Sequence, residues 1–368
     1  MSLRNAFYAT PVLASFLVGC SSSGISEERA PMAGRQGPAA QGCATDTGYA
    51  GDSMCLAKPD PAKGFALHYG PSSYADAAQV APYLLQPGEE TNDCYYEKTS
   101  NTEDRFVSGH QFHMRPGSHH LISSVKTSAF QPDGFHTCQA NDGSSGNLGG
   151  SQTPKVDELQ DPAPENQGLA WKVPANAQAV INFHVINSTG KPIVREAWLN
   201  YLYMASSEVK GIRGNLFLVG GTGFRIDPGT HETYQYACSP SRPVRVLGIA
   251  AHMHMHTTRM SVWHVDTSGQ PSLIYENFNW ESPKEIRYDS VHTNTPSNRA
   301  TLAPGGASGM MVVMPGETIQ WECEVNNTSD TVLTFRNEVQ TGEMCIVTGA
   351  VVPVDDSMNP YSFTCAQN

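Results

Sequence analysis

The segment ETIQWECEV shows the period that organises the chain. Ile319, Trp321, Cys323 and Val325 alternate with Gln320, Glu322 and Glu324, the two-residue repeat of a half-buried strand. Short runs of this kind follow one another from residue 207 onward, in GNLFLVGG, TYQYAC, VRVLGIAAHMHMH, RMSVWHVD, SLIYENF and MCIVTGAVV, each closed by Gly, Pro, Asp or Asn. Upstream, strands are predicted over 105–112, 120–128 and 179–187. In the last of these, Ala179, Ile181, Phe183 and Val185 form one apolar face, and His184 shares the opposite face with Asn182. The stretch NDGSSGNLGGSQTP reads as an irregular, exposed loop. No long heptad and no residue-level repeat interrupts the picture. Strands in this number with hairpin-length gaps predict an all-β chain of two tandem antiparallel β-sandwich domains, over 61–206 and 207–368.

Composition agrees with this reading, because 33 Gly and 25 Pro in 368 residues favour short strands joined by turns. The formal net charge of -12, with Lys and Arg scattered, leaves no basic stripe to neutralise a phosphate backbone, so nucleic acid is excluded as an expected partner. The first twenty residues combine Arg4, a short apolar segment and Leu17-Val18-Gly19-Cys20, which resembles a bacterial lipoprotein signal with Cys20 as the lipid anchor. The apolar run is shorter than the roughly 20 residues a spanning helix needs, so the expected membrane contact is through lipid alone. Ser21 follows Cys20 with no acidic residue in its place, which points to the outer membrane of a bacterial cell envelope. Residues 21–60, rich in Ser, Gly, Ala and Pro, read as a low-complexity tether.

Removing Cys20 from nine cysteines leaves Cys43, Cys55, Cys94, Cys138, Cys238, Cys323, Cys345 and Cys365. An even number in an exported chain predicts disulfides, and the absence of any CxxC argues against a zinc knuckle. Eight cysteines allow about 105 pairings, and spacing does not choose among them.

The richest chemistry lies in IAAHMHMHTTRM, residues 249–260. On a strand, side chains at i and i+2 share a face with Cα atoms about 6.5–7 Å apart, so two imidazoles can close on one ion, whereas His252 and His256 would stand about 13 Å apart. The pair is therefore His252 with His254 or His254 with His256, with Met253 and Met255 facing the core. An exposed, histidine-rich strand face explains the same spacing without a metal. The adjacent pair His119-His120 points to opposite faces of a regular strand, so joint ligation requires the backbone to turn, and Pro116-Gly117 just before it supplies a place for that.

Taken together and in order, His119-His120, His184, the H-x-H of AHMHMHTTRM and the Met-Cys of GEMCIV resemble the copper type II, ascorbate-dependent monooxygenases, the family of peptidylglycine α-hydroxylating monooxygenase and dopamine β-monooxygenase. The resemblance covers about residues 80–355. It implies jelly-roll-like sandwiches with the active site in the cleft between them, and two coppers per chain. His119, His120 and His184 would hold the first, and His252, His254 and Met344 the second, oxygen-binding one. Met260, eight residues after His252, matches an apolar position of the family and selects His252 with His254, leaving His256 a neighbour. Two imidazoles with a thioether are a soft donor set that suits copper cycling between Cu(I) and Cu(II). The resemblance also implies the disulfides Cys323–Cys345, Cys238–Cys365 and Cys94–Cys138, with Cys43–Cys55 left by elimination.

The implied activity is hydroxylation of a substrate C–H with O2 and a one-electron donor such as ascorbate. The chain departs from the family where peptidylglycine enzymes grip a peptide carboxylate with Arg, Asn and Tyr, having Ala250, Ile346 and Thr348 there instead. Without those charge-assisted bonds a peptidylglycine is not the expected substrate. The competing expectation is a non-catalytic copper-binding or electron-relay lipoprotein at the cell surface.

Overall fold

A computed structural model describes residues 43, 45–138, 146–223, 225–292, 310–354 and 362–367. The expected signal with Cys20, and the tether up to residue 42, lie outside the described residues. No helix among the described residues is long and apolar enough to cross a membrane. The described chain is all-β, with one short α-helix, Ala77–Val80.

The stretches that the alternation marks as strands are strands, but many others, among them Gly64–Tyr69, Glu90–Lys98, Leu169–Val173 and Ala197–Met204, were not expected from it. The first sheet orders Gly64–Tyr69, Ala197–Met204, Arg105–Met114, Leu169–Val173 and Gly211–Ile212, with Lys155–Glu158 against Arg105–Met114. The second orders Gly134–Thr137, Glu90–Lys98, Gln178–Ile186, Ser118–Lys126 and Gly146–Ser151. A third carries Gly214–Val219, Cys345–Pro353, Val244–Met253 and Ile286–Arg287, with Met311–Val313 beside Val244–Met253. The fourth runs Pro271–Asn277, Thr257–Val265, Thr318–Asn326, His231–Pro240 and Phe363–Gln367. Arg225–Ile226, Leu333–Phe335 and Gly342–Glu343 make a smaller sheet, and Leu84–Leu85 pairs with Ile193–Val194.

This arrangement corrects the expectation of two tandem antiparallel sandwiches with the site in a cleft between them. The strands assort into five sheets of three or more strands and one two-stranded pair, a five-blade, propeller-like count in place of two tandem jelly rolls. Among the described strands two pairings are parallel, Gly211–Ile212 with Leu169–Val173 and Leu333–Phe335 with Gly342–Glu343. The first of these crosses the boundary expected at residue 207, and the described residues form one compact unit. The physical reason is that a period of two fixes which face of a strand is buried but not which strands pair, and short parallel pairs carry no hairpin signature.

The described apolar side chains gather in two large clusters, one around Phe112, Leu121, Ile181, Phe183 and Tyr201, the other around Val246, Met253, Val262, Trp321 and Val347, with two small ones around Cys94 and Tyr96 and around Leu169, Leu247 and Val352. Side chains of this size stabilise the fold by about 1.5–3 kcal/mol each when fully buried. Four disulfides, Cys43–Cys55, Cys94–Cys138, Cys238–Cys365 and Cys323–Cys345, are the pairs named above.

Two local expectations are overturned. Met253 is fully buried, but Met255 is 46% exposed, because the strand Val244–Met253 ends before it and Met255 rides on a turn. Part of the glycine-rich stretch expected to be an exposed loop is the strand Gly146–Ser151, an edge strand hydrogen-bonded to Ser118–Lys126. Its small side chains let it lie close to its neighbour: a Cβ on Gly150 would stand 2.8 Å from the Leu121 carbonyl oxygen.

Candidate metal centre

The first histidines are positioned by a break in a ladder. His184 and His120 lie directly opposite each other on Gln178–Ile186 and Ser118–Lys126, but the next pair is Val185 with Ser118, so His119 is the extra residue of a β-bulge. A bulge re-aims the residue it inserts. That is how two adjacent histidines, which a regular strand would send to opposite faces, come to share one site with His184. The turn before them is held in place: Gly117 has φ +95°, its carbonyl accepts from the Ile186 N–H at 2.9 Å, and a Cβ there would meet Ile193 Cδ1 at 2.5 Å.

His252 is the penultimate residue of Val244–Met253, opposite Ile346 on Cys345–Pro353, and Met253 stands opposite Cys345. His254 lies just past the strand end, in the turn, so the H-x-H pair straddles a strand end and is not two steps along one strand. Met344 precedes Cys345, one position beyond the last pair of that ladder, and is buried. The carboxylate of the fully buried Glu343 fastens this corner, accepting from the N–H groups of His254 (2.7 Å), Met344 (2.8 Å) and His256 (3.2 Å). Burial pushes this carboxyl up to about 7, against the opposing pull of those N–H donors. The Cys323–Cys345 disulfide and a bond from Trp321 Nε1–H to the Cys345 carbonyl hold the strand behind Met344.

All five histidines converge. The His119 ring centroid is 5.1 Å from His184, 5.3 Å from His120, 5.3 Å from His252 and 5.5 Å from His254. His120 and His252 are 4.9 Å apart. Two groups of three nitrogen donors, His119/His120/His184 and His119/His252/His254, each have their ligand atoms within 4.8 Å of one another. His256 belongs to neither group; its Nε2 faces the Gln340 carbonyl at 3.2 Å.

Four of the five rings are held by a protein acceptor on one nitrogen. His120 turns Nε2 to Asn182 Oδ1 (2.9 Å), His184 turns Nε2 to Glu90 Oε1 (2.7 Å), His252 turns Nδ1 to Gln152 Oε1 (2.9 Å), and His254 turns Nδ1 to the Gly342 carbonyl (3.3 Å). The opposite nitrogens of three of them, His120 Nδ1, His184 Nδ1 and His254 Nε2, are buried with no hydrogen-bond partner, as is Nε2 of His119. A buried, unpartnered ring nitrogen is costly unless something accepts its lone pair, and an outer acceptor on the other ring nitrogen is the usual bracing of a metal-bound imidazole. The Gln152 amide is unambiguous: its Nε2 donates to the Ala251 carbonyl at 2.6 Å, so its Oε1 must accept from His252 Nδ1–H, which leaves Nε2 as the lone-pair nitrogen. Burial, and then the neighbouring imidazoles, lower the pKa of His120 to about 3, while burial and His184 lower that of His254 to about 4. His119 and His252 are displaced downward for the same reasons. These four imidazoles are therefore neutral at pH 7, the state in which an imidazole can bind a metal ion.

A cavity of about 250 Å³ adjoins the cluster, with His120 and His252 in its wall and Trp171, Leu247 and Ile122 among its apolar lining. Ala250 and Thr348 also line it, and they face each other across the ladder. The Thr348 hydroxyl is spent on the Ala250 carbonyl at 3.2 Å. Both arginines in the wall are paired, Arg213 with Asp161 at 3.0 Å and Arg287 with Glu158. Among the described lining residues no unpaired cation awaits a carboxylate.

Of the remaining histidines, His110 is buried in the cavity wall beside Phe112, His113 bonds Asp157 at 3.0 Å and His264 bonds Glu317 at 2.9 Å, while His136 turns to the Pro132 carbonyl at 2.9 Å. Glu343 stands next to Met344 in GEMCIV, and Asn182 shares a strand face with His184, so both bracing residues are adjacent to motifs visible in the sequence. Gln152 and Glu90 have no such signal, since each reaches the cluster only through the sheet. No protein-family model matches the chain, and no curated protein matches it.

Proposed function

We propose that this protein is a copper-dependent monooxygenase that hydroxylates a substrate C–H using O2 and a one-electron reductant such as ascorbate. The observation that carries the reading is the set of buried imidazoles, four held by a protein acceptor on one nitrogen and three of these with the other nitrogen buried and unpartnered, beside a cavity large enough for a small molecule. Copper, when bound, supplies one-electron chemistry between Cu(I) and Cu(II), which suits imidazole and thioether donors. The reaction converts R–H to R–OH and consumes one O2, two electrons and two protons, with water as the second product.

The chain's own residues bind and orient. Asn182, Glu90, Gln152 and the Gly342 carbonyl fix the ring orientations, and Glu343 fixes the turn that carries His254. Trp171, Leu247 and Ile122 give the cavity beside His120 and His252 apolar surface against which a substrate C–H can lie. With Thr348 and both arginines already engaged, the cavity favours a substrate not anchored by a carboxylate, so peptidylglycine is not the proposed substrate.

The reading is tested by counting copper per chain and by following O2 and ascorbate together across a panel of small substrates. Two coppers and coupled consumption with at least one substrate are expected, with no turnover of a peptidylglycine. Copper binding with no O2 uptake on any substrate would favour the alternative, a copper-binding or electron-relay protein.

A further inference from the structure

The geometry points to a shared ligand: His119 serves both donor sets, so two ions bound to this centre compete for it. This rests on the metal-binding reading above and changes the division of ligands that the family resemblance implies, in which His119 belongs to the first copper alone.

Three observations carry it. His119 is the third member of both three-nitrogen groups, which otherwise share nothing. Among the described residues it alone of the five has ring contacts with all four others. It is also the one with no protein acceptor on either ring nitrogen among the described residues, and its Nε2 is buried and unpartnered, whereas His120, His184, His252 and His254 are each tied to one tautomer. A ring on a bulge, free of such a tie, can present its lone pair to either side.

A neutral imidazole has a single ligating lone pair, and serving two ions at once would require loss of its N–H proton. Donors at the 2.0–2.1 Å bond length of an imidazole-bound ion stand about 3.3 Å apart around a tetrahedron, so either triad closes by movements on the scale of side-chain rotation. The first ion therefore takes His119 and a histidine pair. The second is left with the remaining pair and, on the H-x-H side, Met344.

Two half-site variants separate the possibilities in a Cu(I) titration against a chromophoric chelator. His120→Ala/His184→Ala leaves the H-x-H set, and His252→Ala/His254→Ala leaves the other. Each binds one ion, and adding His119→Ala weakens binding at least about tenfold in both backgrounds, since losing a direct ligand costs no less than losing an outer one. Weakening in the His252→Ala/His254→Ala background alone would overturn the proposal. If the variants do not fold, the wild-type protein decides by electron paramagnetic resonance. One equivalent of Cu(II) shows three nitrogen couplings and the second equivalent adds an ion with two. Two three-nitrogen ions would overturn the shared ligand. A wild-type protein that binds no copper would remove the metal reading itself, before any variant is compared.

Discussion

Gln152 shows how one side chain fixes the chemistry of another. Its amide nitrogen must donate to the Ala251 carbonyl, so its oxygen accepts from His252 and the tautomer of His252 follows. Gln152→Leu removes both bonds without adding charge. It is expected to lower copper affinity about 10–100-fold, the usual effect of losing an outer partner of a ligating histidine, while the stoichiometry holds. Metal titration with the same chelator checks this, and an unchanged affinity would mean that packing alone orients His252. His256 offers the contrast. It lies two residues from His254 but outside both donor groups, with its Nε2 on the Gln340 carbonyl. His256→Ala is expected to leave the copper count unchanged in metal analysis of the purified protein, whereas His254→Ala removes one donor of the H-x-H set.

At the scale of elements, the bulge that presents His119 depends on the turn before it, and that turn is braced from outside the sheet. Arg115 is 1% exposed; it donates through Nε to Glu196 at 2.6 Å and through its terminal nitrogens to Asp52 at 2.8 Å and the Ala50 carbonyl at 3.0 Å. Burial tends to raise the Asp52 carboxyl, but hydrogen bonds from Thr47, Arg115 and Thr45 outweigh it and hold its pKa down to about 2. The segment closed by Cys43–Cys55 is thus pinned to the strand end that leads into Pro116-Gly117. Arg115→Met leaves Glu196 buried with its main cation gone, a change that typically costs about 3–5 kcal/mol. The denaturant midpoint is expected to fall accordingly, with Arg115→Lys intermediate because it keeps the charge and loses the fork. Equal midpoints for Met and wild type would show that His68 and Tyr74, which also bond Glu196, suffice. Strands such as Thr318–Asn326 were legible because alternation reports the buried face directly. The bulge at His119 was not, since a one-residue insertion in a ladder leaves no mark on hydrophobic period, although Pro116-Gly117 marked where the chain turns. Nor was the edge strand Gly146–Ser151, whose glycines read as loop and which forms because a neighbouring edge offers hydrogen bonds.

For the whole molecule, the centre is a cost to the metal-free fold. Five imidazoles are buried against one another, contributed by segments far apart in sequence, and four of them have a ring nitrogen buried with no protein partner. In the unfolded chain these histidines titrate near 6.5, whereas in the folded chain burial holds His254 near 4 and His120 near 3. The sign follows from proton counting: between these values the unfolded state binds protons that the folded state excludes, so stability falls as the pH drops below about 6.5. Well above that value His120 and His254 are neutral in both states and contribute no pH dependence. The buried carboxyls of Glu343 and Glu285, raised to about 7, pull the other way by taking up protons in the folded state over the same range, but the four depressed imidazoles outnumber them. Metal-free protein is therefore expected to lose thermal stability from about pH 6.5 to about pH 4. Copper-loaded protein should lie above it at every pH where the ions stay bound, because a ligand that binds only the folded state stabilises it by mass action. Calorimetric melting of both forms across that range checks the argument. A metal-free melting temperature that is flat from pH 6.5 to pH 5 would mean that the rings are solvated in solution, and the close-packed cluster on which both the metal reading and the shared role of His119 depend would be lost with it.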